Sequence, residues 1–214
     1  MDTTAIVVMA VFGALVVTFI VMSSRQSSAQ RERMERFAAG RGWTFAPAAD
    51  SRLDALLSEA APAEKWHAYN VTLAAPPPES VYLFAYNASP KDRPSKTNYG
   101  FACLAAHTGR PQEWPVTIFT RVPVADAMVS NRVETGGEEF RRKFTVTCSR
   151  PEAAHAAVNA GVQRILLDHA AGPGWKMTVN IAGRQVLVES SWAVTEVEWD
   201  ALIAMAKGLR SAVR

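Results

Sequence analysis

The chain has 214 residues, 49% of them hydrophobic and 20% charged, with a net charge of +3. Set the N-terminus aside and that is ordinary globular composition, with chain enough for one proper core. The mild charge, with no basic stripe interleaved with aromatics, excludes a nucleic-acid partner.

The N-terminus carries the sharpest signal. Ala5 to Met22 (AIVVMAVFGALVVTFIVM) holds no charge and one polar side chain, Thr18. At about 1.5 Å per residue it spans about 27 Å, close to the roughly 30 Å hydrocarbon core of a bilayer. Asp2 precedes it, and Arg25, Arg31, Arg33 and Arg36 follow it. By the positive-inside rule this orients a single-pass anchor at the cell (inner) membrane, N-terminus out and the remainder cytoplasmic. The expected organisation is an extracytoplasmic tail (1–4), a transmembrane helix (5–22), a basic juxtamembrane helix (23–40) and a soluble domain (41–214). A cleaved signal peptide, ending near Ser27-Ser28-Ala29, is the rival. It fits less well because the n-region is acidic and the apolar run is long.

Ser28 to Ala39 reads as a helix with Met34, Phe37 and Ala38 on one face, stopped by Gly40. Gly42 to Phe45 reads as a short strand. Asp50 caps a predicted helix over 51–59 with Leu53, Leu56 and Leu57 on one face. Strands are predicted over 66–73, 81–87, 99–106 and 116–122, with a proline-broken loop over 89–96. Phe140 to Cys148 alternates as a strand with one wet side. The flexible, acidic Thr135–Glu139 turn reads as a solvated entry to it.

Ser149 and Glu152 have capping-box spacing around Pro151 and open a helix towards Asp168, split near Asn159-Ala160-Gly161. Trp175 to Ser190 reads as a hairpin turning at Ala182-Gly183-Arg184. Thr195 and Glu198 form a second capping box. The helix after it carries Trp199, Leu202, Ile203, Ala206 and Leu209 on one stripe. Strands and helices do not alternate regularly, so the fold class is α+β, a mainly antiparallel sheet covered by C-terminal helices. A PH-like barrel closed by the last helix is the specific form considered.

Three segments carry a resemblance. They are Phe37-Ala38-Ala39-Gly40-Arg41-Gly42-Trp43 behind an arginine-rich helix, the Glu139–Val146 stretch (EFRRKFTV), and the Ile181-Ala182-Gly183-Arg184 hairpin before a C-terminal helix. Together they resemble a group of membrane-anchored bacterial proteins, frequent in GC-rich genomes, with no assigned activity. The resemblance implies an anchor and a cytoplasmic domain, and supplies no catalytic or binding residues.

The chain shows no Walker loop, no Gly-x-Gly-x-x-Gly, no His-Glu-x-x-His, no Gly-x-Ser-x-Gly and no Cys-x-x-Cys. His67, His107, His155 and His169 lack metal-ligand spacing. Cys103 and Cys148 sit in apolar strand patterns and read as reduced, buried thiols. In an extended strand, His107 lies about 13 Å from Cys103, too far for a catalytic pair. No catalytic residue, cofactor or metal is predicted. Trp114 and Trp192, at element edges, are the candidate interaction surface. The expected partners are the lipid bilayer and a membrane or membrane-proximal protein. The expected function is a non-catalytic interaction or scaffold domain. A small-ligand or lipid-headgroup sensor is the alternative.

Overall fold

The structure is a computed structural model that describes residues 28–75, 80–93, 95–122, 129–169, 176–191 and 193–213. The apolar run, Arg25, Trp175 and Trp192 lie outside these residues. Among the described residues no helix is long and apolar enough to cross a membrane.

Helix α1 (28–39) leads into β1 (Thr44–Ala48), α2 (Ser51–Ala60), β2 (Glu64–Ala75), β3 (Val81–Pro90), β4 (Asn98–Ala106) and β5 (Gln112–Thr120). Then come α3 (Glu138–Lys143), β6 (Phe144–Thr147), α4 (Pro151–Ala157), α5 (Ala160–His169), β7 (Met177–Gly183), β8 (Gln185–Ser190) and α6 (Glu196–Ala212). The strands form one antiparallel sheet in the order β1-β2-β3-β4-β8-β7-β5-β6. The α+β class and the antiparallel sheet are therefore as the sequence implies.

The sheet does not close into the PH-like barrel; β1 and β6 are its free edges. The reason lies in the central strands. Val81 to Tyr86 and Phe101 to Ala105 are buried at both parities, so each strand needs cover on both faces. On one face Leu83, Phe101, Cys103, Ile118, Val179 and Val188 meet α1, α4, α5 and α6. On the other face Tyr82, Phe84, Leu104 and Leu187 meet Leu53, Leu57 and Ala60 of α2.

Helix α1 belongs to this core. Met34, Phe37 and Ala38 are buried, and the Phe37 and Trp199 rings meet edge-on at 5.2 Å. Arg41 then bridges to Asp200 at 2.6 Å. The compact unit thus begins before residue 41 and takes in most of the segment expected to be juxtamembrane. Gly40 is not the left-handed stop. Gly42 takes that conformation (φ 66), with Trp43 N–H donating to Ala38 O and Gly42 N–H to Ala39 O in a Schellman cap.

Two further expectations fail locally. Residues 138–143 form helix α3, so the strand predicted from Phe140 begins only at Phe144. Glu138 and Glu139 lie at its N-terminus and Arg141, Arg142 and Lys143 at its C-terminus, matching the helix dipole. Phe140 and Phe144 also stack at 5.0 Å, one turn apart. Ser149 does not cap α4; Arg150 occupies the N-cap without a side-chain bond, and Pro151 starts the helix. The split at Asn159 is real: its Oδ1 accepts from Gly161 N–H and Val162 N–H, and its Nδ2 donates to Ala212 O. The Thr195–Glu198 capping box is present in full.

Candidate functional site

Helix α2 covers only half of its face. Its C-terminal end is tied to the β7–β8 turn, where Glu59 accepts from Arg184 N–H at 2.9 Å and from Gln185 Nε2 at 3.2 Å. The uncovered half, towards the start of β4 and the end of β8, is an open cleft of about 610 Å³ with Tyr86, Asn98, Phe119, Thr178, Lys176 and Glu189 in its lining.

A polar row crosses this half of the sheet. Thr117 Oγ1 donates to Asn180 Oδ1 at 2.7 Å, and Asn180 Nδ2 donates to Glu189 Oε1 at 2.9 Å. The Tyr86 hydroxyl lies beside the same carboxyl, and the Trp66 ring packs 4.9 Å from the Tyr86 ring. Gly100 stands opposite Tyr86 in register and puts no side chain into the gap. A methyl group there would sit 2.5 Å from Ser190 O, so β4 and β8 approach this closely only around glycine.

Burial, and then repulsion from Glu64, push Glu189 up to about 8, although hydrogen bonds from Tyr86 and Asn180 draw it back. Burial also raises Glu64 and Tyr86. At neutral pH Glu189 is therefore a neutral acid at the cleft floor, able to donate as well as accept. Such a group can take part in binding a polar ligand.

The sequence candidates lie elsewhere. Arg31, Arg33 and Arg36 are exposed on α1, and Arg33 donates to Val194 O at 3.2 Å. Trp114 is 37% exposed, with the Arg150 guanidinium 5.0 Å from its ring centre. Trp192 falls outside the described residues, so the two tryptophans are not brought together. Cys103 is fully buried, and burial pushes its thiol well above the usual range. His107 faces Gly183 O at 3.2 Å, and burial lowers its pKa. Among the described residues no three His, Cys, Asp or Glu side chains are placed to hold a metal ion. The Thr135–Glu139 turn is pinned in place: Thr135 bonds His155 at 3.0 Å, Gly137 N–H donates to Gln163, and Arg141 donates to Gly136 O.

Sequence reasoning missed Glu189 and Tyr86. The available signal was one acid directly after the apolar Val186–Val188 run, at the parity of Leu187 and hence on the α2 face.

No family model matches the chain, and no curated protein sequence does. Among solved structures, the crystal structure of the mycobacterial trehalose monomycolate transport factor A, TtfA, is similar, with a TM-score of 0.57 at 13% identity. The match covers 85% of this chain and 92% of that one, and it establishes likeness of fold.

Proposed function

We propose that the chain is a membrane-tethered, non-catalytic interaction domain, held at the inner face of the cell membrane by residues 5–22. The observation that carries this is the 18-residue uncharged run Ala5 to Met22, followed by Arg25, Arg31, Arg33 and Arg36. The similar fold of a trehalose monomycolate transport factor suggests a narrower form of this reading, in which the partner is a membrane protein engaged in transport. Tethering raises the local concentration of such a partner, so a modest interface suffices. Trp114, an exposed aromatic with a cation on its face, is the best-placed anchor for a protein contact.

The test is recovery of the full-length chain from membranes in mild detergent, followed by quantification of co-purifying proteins. A membrane protein in fixed stoichiometry, reduced roughly tenfold by Trp114→Ala, supports the reading. A partner-free chain contradicts it. The cleft favours a second reading, a sensor of a small ligand or lipid head group. Native mass spectrometry of the same preparation decides it: a bound molecule that Glu189→Gln displaces supports the sensor, and an empty chain opposes it.

A further inference from the structure

Among the described residues, the large apolar side chains left exposed are Tyr99, Trp114, Val122, Val194 and Val197. Singly, such residues carry no message. All but Trp114, however, gather at one end of the sheet. The Phe101–Ser190 pairing sets the start of β4, with Tyr99, beside the end of β8, and β8 leads directly to Val194 and Val197 around the N-cap of α6. Met177–Ser190 and Phe119–Thr178 carry the same end across to β5, whose exit bears Val122. Val197 is 79% exposed, Tyr99 62% and Val194 56%, so these side chains contribute little to the fold.

The chain enters the body at this same end. Ala29, Gln30 and Arg33 at the start of α1 line a depression together with Phe101, Val194 and Trp199. From Met22 to Ser28 there are six Cα steps, which reach about 20 Å at full extension. The headgroup layer takes about 5–7 Å of that. If residues 5–22 span the bilayer, this end of the body cannot lie far from its surface. Exposed valines and a tyrosine beside a membrane entry point are what an interfacial surface requires, since tyrosine and aliphatic groups partition into the headgroup boundary. Exposed Lys96 and Lys176 lie at the same end, as do the exposed acids Glu196 and Asp200 that flank Val197, so apolar contact and not net charge carries the docking.

We propose that the sheet end bearing Tyr99, Val194 and Val197 docks on the bilayer surface, so that the body is held in one orientation with its cleft opening beside the lipid headgroups. This rests on the anchoring of residues 5–22. The occupant is lipid because six Cα steps separate Met22 from Ser28 and the exposed groups surround the start of α1.

The test uses the full chain in nanodiscs of phosphatidylcholine with phosphatidylglycerol. Nitroxide labels are placed one at a time by Val197→Cys, Tyr99→Cys, Arg110→Cys at the opposite end, and Gly13→Cys in the apolar run. Cys103 and Cys148 are buried, so the introduced thiol is the one that labels. The expected result is an oxygen-to-nickel collision ratio several-fold higher at 197 and 99 than at 110. Val194→Asp combined with Lys176→Glu should bring the ratio at 99 down towards that at 110. Ratios at 197 and 99 equal to that at 110, with residue 13 in lipid, overturn docking while leaving the anchor intact. Shielding of 197 and 99 from both reagents also overturns it, in favour of a protein cover. Residue 13 reading as aqueous sinks the anchor itself, and lipid contact at 197 would then have to stand without it.

Discussion

Glu189 is the residue whose behaviour departs furthest from its type. Its ordinary value is 4.5, and burial lifts it to about 8. Below about pH 4.5 the carboxyl is protonated in both the folded and the unfolded chain, and burial is not penalised. Between there and about 8 the unfolded chain releases the proton while the folded chain keeps it, so stability falls as pH rises. The whole effect is roughly 5 kcal/mol at most. Glu189→Gln removes the titrating group and keeps an acceptor for Asn180. Urea unfolding from pH 5 to 8 should therefore show a falling stability for the native chain and a much flatter profile for the variant. Equal slopes would show that Glu189 is ionised throughout. Little of this was legible beforehand. Burial of a single acid depends on which strands flank β8; β7 is its legible hairpin partner, whereas β4 follows from long-range pairing and not from local pattern.

At the scale of elements, what local chemistry dictates was legible, and what tertiary contact decides was not. The Asp50 cap, the Thr195–Glu198 box and the Asn159 break depend on side chains within three residues of the backbone they satisfy, and all are present. Phe140 to Lys143 were read as strand because Phe144 and Val146 alternate with threonines; the stacking of Phe140 on Phe144 and the Glu139–Lys143 pair at 3.2 Å tip these four residues to helix. Helix α1 shows the same limit. Its apolar stripe was visible, but its partner, Trp199, lies 162 positions from Phe37. Phe37→Ala should cost about 3–5 kcal/mol in urea unfolding, the cost of emptying a buried aromatic site. A loss within about 0.5 kcal/mol, typical of a surface position, would return α1 to the role of a mere spacer between membrane and body.

For the whole molecule, the last hairpin decides the architecture. β7 and β8 are read easily as a pair, yet they insert at the centre of the sheet, between β4 and β5. That insertion joins the β1–β4 meander to the β5–β6 pair, keeps the sheet open, and leaves half of the α2 face uncovered. The cleft is thus a product of topology, and a sequence that yields only element order does not reveal it. The proposed tether is the reverse case: it rests on composition alone and lies outside the described residues. Under that proposal, body, cleft and apolar end are positioned together by the chain that precedes residue 28. The most direct test is membrane retention and sidedness of the full-length chain with a C-terminal tag. Tethering predicts that the chain resists alkaline extraction and that protease reaches the tag only after the inner membrane is opened. Release into the soluble fraction, or a tag digested from the outer side of an intact membrane, would contradict it.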